Sequence, residues 1–127
     1  MKLKTRHFGE IEFDENLTIK FPKGLLGFED LTNYLLIKTE NELFFWLNSV
    51  ENPELAFPLV GLRMIQDTYP TAEEHEPFGV TILHSDPAQI TVNLKAPIYI
   101  NQNEKTGYQK IIDDEKFPVD YNLFVQQ

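Results

Sequence analysis

The residues with chemistry to offer are few and scattered. His84-Ser85-Asp86 places a base, a hydroxyl and a carboxylate side by side, the residue types of a hydrolase triad. A triad is a matter of geometry, and sequence neighbours rarely aim at one another, so this tripeptide predicts a turn before it predicts a nucleophile. Glu73-Glu74-His75-Glu76 offers oxygen and nitrogen ligands to a divalent cation, although an unbroken acidic run in a loop is ordinarily a solvated face. His7 stands alone on a third segment. Gly24-Leu25-Leu26-Gly27 has glycines but lacks the Lys and Ser/Thr that a phosphate loop requires. Asn16-Leu17-Thr18 is formally a glycosylation acceptor, which matters only in a secreted chain. With no cysteine, thiolate nucleophiles, disulfides and cysteine zinc sites are excluded. The sequence therefore assigns no catalytic residue, no metal ligand and no cofactor.

Charge narrows the partners instead. Twenty Asp and Glu against eleven Lys and Arg leave a net charge of −9. That balance disfavours direct binding to a nucleic-acid backbone and favours a basic protein partner, which opposite fields would steer. An apolar content of 42% over 127 residues predicts one folded domain, residues 1–127. Met1-Lys2-Leu3-Lys4-Thr5-Arg6 has no apolar run behind its charges, and no stretch approaches the roughly 20 residues of a membrane helix, so the expectation is a cytoplasmic protein.

The elements that must position any site read as short strands. Alternation predicts strands over residues 2–6, 10–13, 17–21 and 90–94; more uniformly apolar runs predict strands over 34–38, 43–47, 79–83, 98–100 and 108–112. Residues 56–60 carry Pro58, which demotes that piece to an edge strand or a bulge. Residues 61–77 form the least legible region. About nine to ten short strands and almost no helical period predict an all-β fold, an antiparallel sandwich or partly closed β-barrel. The strand at 43–47 is apolar on both sides: Leu43, Phe45 and Leu47 on one face are expected to be buried together, and Phe44 and Trp46 on the other to be covered as well, the alternative being an aromatic face that waits for a partner.

These strands are organised around Phe21-Pro22-Lys23-Gly24-Leu25-Leu26-Gly27-Phe28-Glu29-Asp30. Pro22 fixes its φ, Gly24 and Gly27 permit positive φ, and Glu29-Asp30 suit the start of one or two helical turns running to Tyr34. The segment reads either as a buried corner that holds two strands in register or as a docking corner with Leu25, Leu26 and Phe28 near the surface.

At this point the chain resembles the FliW family of flagellar assembly factors. The matching pieces are Phe8-Gly9-Glu10, the corner Phe21-Pro22-Lys23-Gly24-Leu25-Leu26-Gly27-Phe28-Glu29, Val50-Glu51-Asn52-Pro53-Glu54-Leu55-Ala56-Phe57, Asn93-Leu94-Lys95-Ala96-Pro97-Ile98, and residues 113–118, in that order across nearly the whole chain. Two departures stand out: the stretch after Leu62 is short, and the aspartate and aromatic motif near Tyr69 is only partly present. The resemblance implies a non-enzymatic antagonist that binds the translational repressor CsrA away from its RNA surface and also binds flagellin, so that export of flagellin frees the factor to relieve repression. It implies a monomer that touches neither nucleic acid nor membrane. The acids of two segments, Glu51 and Glu54 with Asn52 between them, and Glu73, Glu74 and Glu76, are the expected contacts for a basic repressor, and Leu25, Leu26 and Phe28 the expected contacts for flagellin. Phe21, Pro22, Gly24, Gly27, Pro53, Asn93, Ala96 and Pro97 are expected to be structural. Two other classes remain open: an enzyme acting on a small ligand in a barrel mouth, which would need a pocket collecting perturbed acids or histidines, and a self-assembling structural or export subunit, which sizing would reveal.

Overall fold

The computed structural model describes residues 1–41 and 43–124. Among the described residues eleven strands form: β1 (Lys2–Thr5), β2 (Gly9–Glu12), β3 (Ile19–Lys20), β4 (Asn33–Lys38), β5 (Phe44–Ser49), β6 (Ala56–Gly61), β7 (Glu76–Ile82), β8 (Thr91–Val92), β9 (Ile98–Asn101), β10 (Thr106–Gln109) and β11 (Tyr121–Asn122). Seven of them close a barrel in the order β3-β4-β5-β6-β7-β9-β10, and β10 returns to β3. The closing contact is parallel, Thr106 beside Lys20, while the other barrel pairings are antiparallel. Closure removes the exposed edges that an open sheet would offer to other chains.

The barrel closes because β7 is shared. Its first residues pair with β9 through Glu76↔Ile100 and Phe78↔Ile98, and its last pair with β8 through Thr81↔Val92. Two apolar cores result. Ile19, Phe21, Leu25, Tyr34, Leu47, Leu59, Phe78, Ile98 and Ile100 fill the barrel. Val60, Leu62, Tyr69, Val92, Leu94 and Phe117 form a second core outside it, between the β8–β11 extension and the segment after β6. That segment, the least legible in sequence, contains a single helical turn, α1 (Leu62–Ile65), and a turn at Glu73 and Glu74 that leads into β7.

Several expectations change. Leu17 is 53% exposed in a 3-10 turn (Glu15–Leu17) capped by Asp14 Oδ1, so it does not share the inward face of Ile19 and Phe21. No helix follows Glu29; the chain makes tight turns there, and the short helices lie elsewhere. Pro58 lies inside the closed sheet, paired with Trp46 on β5. It is tolerated because the β6–β7 ladder runs only from Leu59↔Val80 to Gly61↔Phe78, so no ladder bond to β7 needs a donor at Pro58, and the Pro58 carbonyl is satisfied by the Thr81 hydroxyl at 3.0 Å. Glu76 and Pro77 belong to β7, which begins three residues before the expected strand. Phe45 and Leu47 meet in the barrel core, but Leu43 packs on the second core. The other face of β5 is covered only in part: Trp46 lies 4.3 Å from the His7 ring and 6.0 Å from Phe8, both on the turn of the separate β1–β2 hairpin, while Phe44 and Trp46 are half-buried and line a surface groove with Phe8 and Leu83. The sequence of residues 39–42 reads as a polar turn and that of residues 117–127 as a semi-apolar tail; Glu42 and residues 125–127 of these lie outside the described residues.

Candidate functional site

The corner is two tight turns in series. Gly24 N–H donates to Phe21 O at 2.8 Å, with Pro22 at the second position where its fixed φ suits a turn. Phe28 N–H donates to Leu25 O at 2.8 Å across Leu26 and Gly27. Both glycines take positive φ, +65° and +86°. A Cβ at Gly24 would stand 2.6 Å from Glu29 Cα, so the chain crosses itself there and only glycine fits; Gly27 has open space and needs glycine for its φ alone.

This geometry splits the apolar residues of the corner. Leu25, expected near the surface, is in the barrel core with Phe21. Leu26 is 51% exposed and Phe28 38% exposed. The Phe28 ring packs edge-on against Phe57 at 5.3 Å, so its base is fixed while its rim faces solvent.

Two side chains hold the corner from either side. The Glu51 carboxylate accepts from Asn33 N–H at 2.7 Å, Thr32 N–H at 2.9 Å and the Thr32 hydroxyl at 3.3 Å. Glu51, expected as a partner contact, is thus committed to the backbone where the corner enters β4. Gln109 at the end of β10 accepts from Leu26 N–H and donates to Ala96 O, both at 2.9 Å. Three of the matched motifs therefore meet at one end of the barrel. Nothing in the spacing singled out Gln109, because its partners lie 83 and 13 residues away.

The motifs themselves are built on local bonds. In the 50–55 loop, Asn52 N–H donates to Ser49 Oγ, Leu55 N–H to Asn52 O, and Asn48 Nδ2 to Pro53 O. Glu54 is left pointing outward and exposed. Asn93 Oδ1 accepts from the N–H groups of Lys95 and Ala96, the side-chain turn that sets buried Ala96 and Pro97 at the start of β9. Glu73, Glu74 and Glu76 lie apart from the 50–55 loop. Glu76 is 3.8 Å from Arg63, and His75 packs on Tyr108. A groove of about 400 Å³ separates this turn from the corner, lined by Pro22, Lys23, Gly24, His75 and Tyr108 among others.

The remaining chemistry disperses. His84 Nδ1 accepts from the Asp86 backbone N–H and Asp86 Oδ1 from Ala88 N–H, so no triad forms. His7, His75 and His84 sit on three different surfaces. Among the described residues no group of three or more His, Asp or Glu converges as a metal site, and no helix is long and apolar enough to cross a membrane. The groups with displaced pKa values are buried tyrosines. Tyr34 is pushed up to about 12 by burial and then by the nearby Glu51 carboxylate; Tyr69 and Tyr99 are raised by burial too. Among the described residues the Tyr34 hydroxyl has no hydrogen-bond partner.

A small closed β-barrel, filled by its own side chains and carrying a turn-built corner with Leu26 and Phe28 exposed, defines the class of scaffold. Comparison with known proteins makes the family specific. The profile of the FliW protein family matches residues 2–77 and 70–123. The flagellar assembly factor FliW of Caldicellulosiruptor saccharolyticus is 34% identical over 96% of this chain and 90% of its own length. That of Clostridium botulinum is 35% identical over 100% of this chain and 99% of its own. A crystal structure of the flagellar assembly factor FliW superposes with a TM-score of 0.91 at 25% identity, covering 100% of this chain and 99% of that one. The chain belongs to the FliW family of flagellar assembly factors.

Proposed function

We propose that this chain couples flagellin supply to translation by binding two proteins in turn, flagellin and the repressor CsrA. It acts as a cytoplasmic monomer without catalysis, and it releases CsrA from RNA by binding away from the RNA surface. The observation that carries this reading is the likeness to flagellar assembly factors over nearly the full length of both chains. The net charge of −9 supports it, because an RNA-binding repressor presents positive potential. The test is direct binding of the purified chain to CsrA and to flagellin, with a competition in which flagellin is titrated into the CsrA complex. The reading predicts binding to both and loss of CsrA–RNA affinity when the chain is added. Failure to bind either protein overturns it.

A further inference from the structure

We infer that the tip formed by Leu26 and Phe28, bordered by the carboxylates of Glu29, Asp30 and Glu54, is the docking surface for a cationic, apolar-centred segment of the repressor rather than for flagellin, the contact first expected for these two side chains; this rests on the functional reading above. The tip has the anatomy of an interface centre. Leu26 and Phe28 are exposed large side chains at 51% and 38%. They are not loose: the 25–28 turn is closed by its own hydrogen bond, Leu26 N–H is anchored to Gln109 Oε1, and the Phe28 ring is backed by Phe57. Binding such a tip orders few additional side chains, so little of the contact is lost to entropy.

Charge specifies the occupant. Glu29 and Asp30 follow Phe28 directly, and Glu54 lies on the loop that leads to Phe57. None of the three has a cation within salt-bridge reach among the described residues, where the acidic partners in ion pairs are Glu10, Glu76 and Asp114. Lys23 is the one basic residue in the two segments, 21–33 and 50–55, that build the surface. An apolar centre bordered by uncompensated carboxylates matches a segment with two or more apolar side chains flanked by lysine or arginine. Glu29 Oε1 accepts one long bond from Gly27 N–H at 3.2 Å and its other oxygen has no bond among the described residues, so it stays in the border; Glu51 is excluded because both its oxygens are held by Thr32 and Asn33, and Leu25 because it is inside the barrel.

The experiment measures binding and association kinetics of the full chain with purified CsrA at low and high salt. Leu26→Ser removes an exposed side chain and is expected to weaken binding by about thirtyfold, as loss of a central interface residue does, with the melting temperature unchanged. The pair Asp30→Lys and Glu54→Lys is expected to slow association several-fold at low salt and by less at high salt. Leu83→Ser, an exposed apolar residue elsewhere, serves as the comparison and should bind as wild type. Wild-type binding that Leu26→Ser and the charge reversals leave within twofold overturns the assignment alone, as does a loss confined to Leu83→Ser. A wild-type chain that does not bind CsrA overturns the functional reading and this assignment with it.

Discussion

Replacing Glu51 with alanine should loosen the corner rather than remove a surface charge. The carboxylate satisfies two backbone N–H groups, those of Thr32 and Asn33 at 2.9 and 2.7 Å, and touches the Thr32 hydroxyl. A hydrogen bond to a charged acceptor contributes about 1.5–3 kcal/mol when shielded from water. Glu51 is exposed, so water replaces part of what is lost, and the net cost falls to about 1–2 kcal/mol for the whole set. For a domain of this length, 1 kcal/mol corresponds to roughly 4 °C in melting temperature. Glu51→Ala is therefore expected to melt roughly 4–8 °C lower, and Glu51→Gln, which keeps an acceptor oxygen, by about half as much. Glu51→Lys should be the worst of the three, since an ammonium group faces two N–H dipoles. Glu54→Ala is the comparison: that carboxylate accepts no hydrogen bond among the described residues, and its loss should stay within about 0.5 kcal/mol. Thermal and urea unfolding of the four variants decides the matter. If Glu51→Ala and Glu54→Ala unfold alike, the carboxylate does not hold the corner, and its bonds to Thr32 and Asn33 carry no net stability.

The two corner glycines should respond differently to alanine. Gly24→Ala meets Glu29 backbone at 2.6 Å as well as a positive φ and should cost more than about 2 kcal/mol, whereas Gly27→Ala meets only the φ penalty, about 1 kcal/mol; equal melting temperatures would refute the difference. Phe45→Ala removes a ring that packs on Phe78 at 5.4 Å in the barrel core and should cost about 3 kcal/mol in urea unfolding; a loss under about 1 kcal/mol would show that this wall of the barrel is not packed. Tyr34→Phe deletes a buried hydroxyl without a partner and should leave stability unchanged or raise it by about 1 kcal/mol, a result that a clear destabilisation would contradict. The folded pKa of Tyr34 lies above the ordinary value of 10, so its neutral form is favoured in the folded state. The stability this gives is complete below pH 10 and is lost as pH rises towards about 12, since the unfolded chain ionises first. Alkaline urea midpoints should fall through that window, and less steeply in Tyr34→Phe.

The sequence alone settled the matters that depend on local periodicity and on turn chemistry. Alternation at residues 10–13 and the apolar runs at 34–38, 43–47 and 98–100 specified strands, because side chains two apart share a face whatever lies opposite. Pro22, Gly24 and Gly27 marked the corner because their backbone restrictions are intrinsic, and the ordered motifs marked the family. What the sequence left open was every relation between distant segments. That β7 divides its pairing between β9 and β8, and so closes the barrel, follows from which strand edges meet in space. Pro58 read as an edge residue because its missing N–H is a local fact, while the Thr81 hydroxyl on its carbonyl is not. Leu25 and Leu26 are the same residue type in adjacent positions, and only the direction of the turn sends one into the core and leaves the other on the surface. Glu51 and Glu54 read alike as acids on one loop; tertiary structure separated them, because a carboxylate takes its role from the donors within hydrogen-bond reach, and for Glu51 those donors are the backbone of Thr32 and Asn33 at the entry to β4.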